Sequence, residues 1–232
     1  MARTRRRQDT RDLPSYGIPE AARYLGISES TLRSWVYGRP YPTRSGLVKK
    51  TAPIIHLADP KNGILSFYNL VEAHVLLFQR QVYGIQLPAV RAAVEHVRAT
   101  LQLERPLIHQ VFYTEGKHLF ITDLEKRVVI DASKRGQLGI WQIVNLYLER
   151  IDWDKEGLAA KLFPVRASQG NEPLIVIDPK ISFGRPVIKG TGITASVLWH
   201  RKRLGEGIDD ISKDYGLDRS AVEEAISYYK AA

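Results

Sequence analysis

The feature that most constrains this chain is the segment "GIPEAARYLGISESTLRSWV", which occupies residues 17–36. Pro19 suits the first turn of a helix, and Glu20 beside it complements the positive end of the helix dipole. Gly26 can adopt the left-handed conformation that ends a helix, and Ser28 fits the N-cap of a following one. The segment therefore predicts two short helices joined by a sharp turn.

The second of these helices is predicted to have one apolar and one polar face. Leu32, Trp35 and Val36 recur at helical spacing and should pack against the first helix. The side chains on the opposite face are short, polar or cationic, as in helices that contact bases and phosphates from the major groove. The residues predicted to contact DNA from this helix are Ser28, Glu29, Ser30, Thr31, Arg33, Ser34 and Tyr37. An ordinary helical hairpin is the alternative, but the cap, the glycine and Arg33 stand where a helix-turn-helix requires them.

Charge and composition favour a polyanionic partner. Lys and Arg total 34 against 25 Asp and Glu, so the net charge is +9, and the pI is about 9.7. The absence of cysteine excludes disulfides and thiolate chemistry and fits a reducing cytoplasm. Because no apolar run approaches the roughly 18 residues of a membrane span, we expect a soluble cytoplasmic protein without a membrane partner.

The first fifteen residues are predicted to form a flexible basic arm. The start "MARTRRRQDTRD" has no apolar stretch behind it, so it does not have the pattern of a secretory signal. Such an arm can lie along phosphates or in a minor groove, and a solvated terminus is the alternative. Its arginines are Arg3, Arg5, Arg6, Arg7 and Arg11.

A β-hairpin wing is predicted after the two helices. The apolar runs "IIHL" and "ILSF", at residues 54–57 and 64–67, are joined by the turn sequence "ADPKNG". Cations in this region can hold phosphates and so position the protein without reading sequence, although solvated loop residues have the same composition. The cations predicted to do so are Arg39, Arg44, Lys49 and Lys50, with Lys61 nearby.

A second pair of helices is predicted over "LSFYNLVEAHVLLFQRQVYGIQLPAVRAAVEHV", with Gly84 and Pro88 as stop and start signals. Residues 16–103 resemble the DNA-binding region of the MerR regulators, whose helix-turn-helix commonly ends in "TLR" followed by an aromatic residue. The matching residues are Thr31, Leu32, Arg33 and Trp35. The resemblance ends after residue 103, where that family continues into a long dimerisation helix and this chain meets Pro106. Metal or drug sensing is therefore not implied.

The middle of the chain is predicted to hold a small antiparallel sheet and one buried helix. The runs "IHQVFY", "HLFITD" and "RVVID" are rich in β-branched and aromatic residues, and "QLGIWQIVNLYL" has the pattern of a helix. A further hairpin is predicted from "RIDWD" and "LAAKLFPV". Asp152 and Asp154 share a strand face opposite Ile151 and Trp153, which favours the solvent side over a catalytic or metal-binding pair.

Neither a metal site nor a cofactor is predicted. The six histidines show no ligand spacing. The segment "GRPVIKGTGI" has three glycines and a lysine but lacks the order of a phosphate-binding loop, so its glycines are better explained by a tight hairpin. We therefore expect no enzymatic activity; a nuclease or a nucleotide-dependent enzyme is the disfavoured alternative.

The C-terminal region predicts a short hairpin, from "LIVI" and "PVI", followed by three helices with caps at Thr194 or Ser196 and at Asp218. Residues 173–230 resemble a small antitoxin-type domain family with the signature G-x-P-x-I-x-G-T-x-I. The matching residues are Gly184, Pro186, Ile188, Gly190, Thr191 and Ile193. That family commonly occurs in operons whose toxin is a PIN-type ribonuclease, so the whole chain resembles a large VapB-type antitoxin.

These patterns together predict an α+β protein. Its expected parts are an arm at residues 1–15, a MerR-like winged helix-turn-helix at 16–104, a small α/β domain at 105–168 and a helix-turn-helix-like domain at 169–232. The last helices expose carboxylates, which repel phosphates, so association is expected there. We expect a homodimeric antitoxin that binds its operator DNA and a PIN-type ribonuclease toxin; the alternative is a stand-alone MerR-like regulator responding to a small effector.

Overall fold

The structure is a computed structural model that describes residues 9–43, 46–80, 85–127, 140–165 and 172–231. It divides into two compact units. Met1–Leu70 and Pro164–Ala232 form one, here called the terminal unit, and Val71–Phe163 form the other, the central unit. Helices and two-stranded antiparallel sheets confirm the α+β class. Within the described ranges, no helix is both long and apolar enough to cross a membrane.

The first part of the terminal unit contains the predicted helix-turn-helix. Its elements are β1 Tyr16–Gly17, α1 Ile18–Tyr24, α2 Glu29–Tyr37, β2 Pro40–Pro42, β3 Val48–Lys50, β4 Ile64–Leu65 and the start of α3 Phe67–Leu76, whose residues from Val71 on belong to the central unit. Gly26 has φ +63°, and Ser28 Oγ accepts a hydrogen bond from Thr31 N at 3.3 Å, as the turn and cap signals predicted. Leu32 and Trp35 are buried in the core. The sequence signals at Gly26 and Ser28 therefore predicted this motif correctly.

The wing forms, but from different residues than predicted. Strands β2 and β3 make the antiparallel hairpin, while β4 pairs with β1 at the start of the chain. The run "IIHL" is not a strand, because its apolar side chains pack inward: Ile54 and Ile55 are buried, and their backbone N–H groups donate to Trp35 O at 2.8 and 3.2 Å. The run thus packs against α2 rather than extending into solvent.

A buried amide joins the segment after the wing to the start of α3. Asn69 Oδ1 accepts hydrogen bonds from Ser66 N at 3.1 Å and from Ala58 N at 3.0 Å, and Asn69 Nδ2 donates to His56 O at 2.8 Å. Ser66 Oγ accepts in turn from Asn69 N at 3.2 Å, so the two residues cap the helix reciprocally. Asn69 therefore fixes where the chain re-enters the core.

The central unit is mainly helical. Its elements are α4 Leu87–Leu101, α5 Lys117–Arg127, α6 Ile140–Leu148, β5 Ile151–Trp153 and β6 Ala159–Leu162. Phe120 lies in its core, where its ring meets the rings of Phe78 and Phe112 edge-on at centroid distances of 5.5 and 5.6 Å. Glu72 and Arg105 form an ion pair at 2.7 Å with little solvent exposure. Aromatic packing and this pair hold the helices together.

Two of the strands predicted in the middle of the chain are wrong. His109 makes an isolated antiparallel bridge to Leu158, but the chain then turns helical and forms a π-helical turn at Phe112–Gly116, and residues 118–123 belong to α5. Phe112, Phe120 and Leu124 are buried at spacings of eight and four residues, which a helix places on one face. Packing of that face overrides the β propensity of the individual residues. The third run, residues 127–131, lies largely outside the described residues.

The helix and the hairpin predicted at the end of the central unit are confirmed. Helix α6 buries Ile143, Val144 and Leu148, and β5 pairs with β6. Asp152 is exposed, and Asp154 Oδ1 accepts the backbone N–H groups of Glu156 and Leu158, each at 2.9 Å. Asp154 therefore forms the hairpin turn.

The second part of the terminal unit also follows the sequence prediction. Its elements are β7 Ile175–Val176, β8 Val187–Ile188, α7 Ala195–Arg203, α8 Ile208–Tyr215 and α9 Arg219–Ala231. The two strands pair, Thr194 caps α7, and Gly216 ends α8 at φ +61°. A small core contains Leu198, Ile211 and Val222. The three helices thus form a bundle behind a short hairpin.

The two parts of the terminal unit are joined by tyrosines. Tyr228 Oη donates to Tyr24 O at 3.0 Å, and Tyr16 Oη donates to Gly184 O at 3.0 Å. Burial is the main cause that raises the pKa values of Tyr16, Tyr24 and Tyr228. Their hydroxyl groups therefore remain protonated at physiological pH. Helix α9 therefore supports α1 of the helix-turn-helix directly.

Candidate nucleic-acid interface

The outer face of α2 presents a compact set of polar groups to solvent. Glu29, Ser30 and Arg33 are exposed, and Tyr37 is half-buried. Arg33 Nη2 lies 3.5 Å from Glu29 Oε2, one helical turn away, and about half of each side chain is exposed. Such a surface pair contributes only about 0.3–0.5 kcal/mol, so Arg33 can exchange Glu29 for another partner at small cost.

The N-terminal turn of α2 is held by its own hydroxyl groups. Ser28 Oγ lies 3.0 Å from Ser30 Oγ and 2.9 Å from Thr31 Oγ1 in addition to its cap bond. Ser28 and Ser30 are exposed and Thr31 is half-buried. The hydroxyls and the positive helix end together make this turn suitable for a phosphate oxygen.

The prediction that Ser34 lies on the outer face is wrong. Ser34 is 5% exposed, and its hydroxyl donates to Thr31 O at 2.7 Å, one turn earlier in the helix. Its position lies at the border between the two faces, where a small side chain can turn back onto the backbone. Ser34 is therefore removed from the set of residues that can reach a ligand.

The wing is held against α2 by a close backbone approach at Gly38. A Cβ atom on Gly38 would lie 1.8 Å from Thr51 O, and the residue has φ +74°. Thr51 N donates to Arg39 O and Arg39 N donates to Thr51 Oγ1, both at 2.9 Å. Lys50 Nζ lies 5.6 Å from the centre of the Tyr37 ring, which joins β3 to the helix. Helix and wing therefore form one surface.

This surface is cationic. Arg39, Lys49 and Lys50 are exposed, and none of them forms an ion pair with another described residue. Arg44, predicted to act with them, lies outside the described residues. Glu29 is the acidic residue among the predicted contacts, and it is paired with Arg33. The balance of charge suits phosphate binding.

The tip of the wing is also apolar, which the sequence reading missed. Tyr41 is 43% exposed, Leu47 65% and Val48 73%. Strands β2 and β3 pair in a register that sets Tyr41 opposite Lys49 and Pro42 opposite Val48. The adjacent pair Leu47–Val48 beside two lysines was the available signal, because a solvated loop rarely contains such a pair.

Arg11 does not extend into solvent as expected of the arm. Its guanidinium lies 2.7 Å from Asp9 Oδ2 and 5.2 Å from the centre of the Tyr68 ring, and the side chain is 15% exposed. The hydrogen bonds from Arg11 lower the pKa of Asp9 to about 2 against the opposing effect of burial, so the pair is ionised at neutral pH. Arg3, Arg5, Arg6 and Arg7 lie outside the described residues.

In the part of the chain that the structure describes, no group of three or more His, Asp or Glu side chains converges as metal ligands would. The segment predicted not to bind phosphate, residues 184–193, forms part of the β7–β8 hairpin and the turn that follows it. Its Thr191 Oγ1 donates to Ile188 O at 2.9 Å, which stabilises that turn.

Comparison with known families assigns matches to two regions. Residues 14–94 match the family model described as "Putative DNA-binding HTH domain". Residues 175–229 match a family described as "Protein of unknown function (DUF433)". Both ends of the chain therefore match known families. The first match contains the whole α2 and wing surface described above.

Relatives align along nearly the whole chain. A Mycobacterium tuberculosis protein named "Putative antitoxin VapB45" is 25% identical over 93% of this chain and 93% of its own length. "Uncharacterized protein Rv2308" of the same organism is 24% identical over 94% of this chain and 91% of its own length. The crystal structure of Rv2018 from Mycobacterium tuberculosis matches with a TM-score of 0.65 at 23% identity, over 92% of this chain and 98% of that one. The last comparison supports the fold.

Proposed function

We propose that this protein is the antitoxin of a type II toxin–antitoxin system, which neutralises a PIN-type ribonuclease and represses its own operon by binding operator DNA. The observation that carries the DNA-binding part is the surface of α2 and the wing, where Arg33 lies on a polar helix face and the adjoining segment carries the exposed cations Arg39, Lys49 and Lys50. The full-length similarity to "Putative antitoxin VapB45" supports the antitoxin part.

In this proposal, α2 enters the major groove. Glu29, Ser30, Arg33 and Tyr37 contact base edges, and Ser28 and Thr31 contribute hydroxyls at the helix start. The wing contacts phosphates through Arg39, Arg44, Lys49 and Lys50. Arginine is the side chain best suited to recognise guanine, so Arg33 is assigned the main base contact.

The arrangement of the remaining chain is also proposed. A homodimer would place two α2 helices in major grooves about 34 Å apart, on an inverted repeat. Residues 169–232 would serve association with the toxin, while residues 16–104 read DNA in a MerR-like manner. The middle domain expected at residues 105–168 would lie almost wholly within the central unit, Val71–Phe163. The protein would act in the cytoplasm, without a cofactor and without catalysis.

A second candidate is a stand-alone regulator that binds a small effector. The observation that favours it is in the central unit, where His74 Nδ1 and the Nε and Nη2 atoms of Arg91 are buried and have no hydrogen-bond partner among the described residues. Buried polar atoms are normally paired, so a ligand could satisfy them. Binding of an effector to the purified protein in the absence of any toxin would favour this function.

The experiment that tests operator binding is a gel-shift titration with the DNA upstream of the operon. Arg33→Ala should weaken binding by about 1–3 kcal/mol, or roughly 5- to 150-fold, because it removes a base contact. Arg203→Ala is the matched control, since Arg203 is an equally cationic, exposed residue at the end of α7. Equal affinity of the Arg33 variant and the unmodified protein would refute the assignment of Arg33.

Neutralisation is tested separately. The chain is co-expressed with the ribonuclease encoded in the same operon, and the purified pair is assayed for co-elution and RNA cleavage. A stable complex with suppressed cleavage is expected. Operator binding without any complex would leave the regulator function and remove the antitoxin function.

A further inference from the structure

Phe183 is the large apolar side chain that stands out on the surface of the terminal unit. It is 90% exposed, in the loop that connects β7 to β8. A fully exposed phenylalanine ring forgoes the hydrophobic stabilisation that burial would give. Scattered exposed leucines are ordinary, but a fully exposed aromatic ring at a defined position requires a reason.

The backbone at Phe183 is strained. Ser182, Phe183 and Gly184 have φ values of +46°, +56° and +73°, so three consecutive residues adopt the left-handed region. Two of them carry side chains, and an aromatic residue in this region is an outlier. Such strain persists only where surrounding contacts fix the conformation, and it is concentrated at binding and catalytic sites.

Hydrogen bonds on both sides fix this loop. Asp178, which is 6% exposed, accepts Lys180 N at 2.8 Å through Oδ1 and Ile181 N at 2.9 Å through its backbone carbonyl. Ser182 Oγ donates to Gly192 O at 2.9 Å. On the other side, Tyr16 Oη donates to Gly184 O at 3.0 Å. The backbone at Phe183 is therefore held in one conformation, so little backbone ordering entropy remains to be lost on binding.

The loop that carries Phe183 has two exposed cations. Lys180 and Arg185 are exposed on either side of it in the sequence, and neither forms an ion pair with a described residue. The carboxylate of Asp178 is turned inward to the backbone. A complementary surface would therefore have an apolar pocket for the ring and carboxylates at its rim.

We propose that Phe183 inserts into an apolar pocket bordered by carboxylates on a partner protein. This inference rests on the proposed function, under which the partner is the ribonuclease toxin. A second copy of this chain is the other protein partner to consider, and measurement of the oligomeric state distinguishes it from the toxin. Nucleic acid suits the site less well, because the helices that follow this hairpin carry exposed carboxylates, which repel phosphates: Asp210 on α8, Asp218 just before α9 and Glu224 on α9.

The test compares two exposed apolar residues in the full chain. Phe183→Ala should weaken binding of the operon's ribonuclease by about 30-fold or more in a calorimetric titration, as expected for a central aromatic anchor. Leu204→Ala should leave the affinity unchanged, since Leu204 is 83% exposed just after α7 and lies outside the loop. Phe183→Gly, which suits the positive φ, should weaken binding as strongly as Phe183→Ala and so excludes loop unfolding as the cause.

Three further measurements separate the outcomes: operator affinity, oligomeric state and binding of a single-stranded oligonucleotide. Operator affinity and the oligomeric state measured by light scattering should be the same for Phe183→Ala and the unmodified chain. Unchanged ribonuclease affinity in both Phe183 variants would overturn the inference while the antitoxin function stands. Failure of the unmodified chain to bind the ribonuclease would overturn both. A changed oligomeric state, or loss of binding to a single-stranded oligonucleotide, would assign Phe183 to another contact and overturn the inference.

Discussion

His74 in α3 is a fully buried titratable residue with a consequence for stability. Its Nε2 lies 3.1 Å from Tyr147 O, and its ring meets the Tyr147 ring at a centroid distance of 5.3 Å. Burial, assisted by the charge of Arg150, lowers the pKa of His74 to about 3. The folded state therefore holds His74 neutral at pH values where the unfolded chain binds a proton.

The central unit should accordingly lose stability as the pH falls. Between the unfolded pKa of about 6.5 and the folded value, the unfolded state binds more protons, so the free energy of unfolding decreases with falling pH. From pH 7 to pH 5 this amounts to about 2 kcal/mol for His74. Urea titrations of the unmodified chain and of His74→Gln at both pH values measure it.

The glutamine variant keeps a nitrogen donor but cannot be protonated. Its unfolding free energy should therefore fall by about 2 kcal/mol less between pH 7 and pH 5 than that of the unmodified chain. His96→Gln is the control, because His96 is exposed on α4. Equal pH dependence in all three proteins would show that His74 does not govern acid stability.

Asn69 is the second residue whose environment leads to a prediction. Asn69→Ala leaves Ala58 N, Ser66 N and His56 O without their partner inside the protein, which should cost about 1–3 kcal/mol of unfolding free energy. Asn62→Ala is the control, because Asn62 makes its hydrogen bonds to Asp59 at an exposed turn. Thermal unfolding compares the two; a cost for Asn69→Ala no larger than that for Asn62→Ala would contradict this account.

At the scale of elements, Gly38 determines how the wing meets α2. Gly38→Ala would place a methyl group 1.8 Å from Thr51 O, so the hydrogen bonds between Arg39 and Thr51 must break or shift. We expect weaker operator binding, because the cations of β3 would lose their position relative to α2. Gel-shift titration measures the change.

Gly46→Ala supplies the matched control for that substitution. Gly46 has φ +78°, close to the +74° of Gly38, but a Cβ atom there would meet nothing within 4 Å. Both variants place alanine at a positive φ and so carry similar backbone strain. The clash with Thr51 O arises in Gly38→Ala and not in Gly46→Ala. If both weaken operator binding equally, strain alone explains the effect and the contact with Thr51 does not matter.

Elements with strong local signals were predicted from the sequence, and elements decided by packing were not. Gly26 and the cap at Ser28 specify the helix-turn-helix within a few residues of chain. In contrast, "IIHL" has the composition of a strand but does not form one. The N–H groups of Ile54 and Ile55 donate to Trp35 O, and the Ile55 side chain is buried in the core. The buried face of α5 could not be distinguished from strands by composition, since Phe, Ile and Leu serve both structures.

The candidate site was predicted in part for the same reason. Exposed Glu29, Ser30 and Arg33 follow from helical periodicity alone. Ser34 lies at the edge of the face, where periodicity is not decisive, and its neighbours bury it. The exposure of Phe183 depends on a strained loop fixed by Tyr16, a residue 168 positions away from Gly184, so no local pattern could reveal it.

At the scale of the whole molecule, the contact between α1 and α9 should stabilise the terminal unit. Tyr228→Phe removes the donor to Tyr24 O and should cost about 1–2 kcal/mol, because the bond is largely buried. Tyr229→Phe is the control: it removes an exposed bond from Arg23 and keeps the ring beneath that guanidinium. A melting temperature lowered equally by both variants would contradict a special role for Tyr228.

The tyrosine contact also sets an order of events during translation. Tyr24 and Tyr228 are 204 residues apart, so the ribosome completes the central unit before it makes the residue that supports α1. Val71–Phe163 are contiguous, so the residues that form their internal contacts are all made before residues 164–232, whereas the terminal unit waits for its last helix. A chain released by a premature stop before α9 would therefore carry a finished middle and a helix-turn-helix without its support.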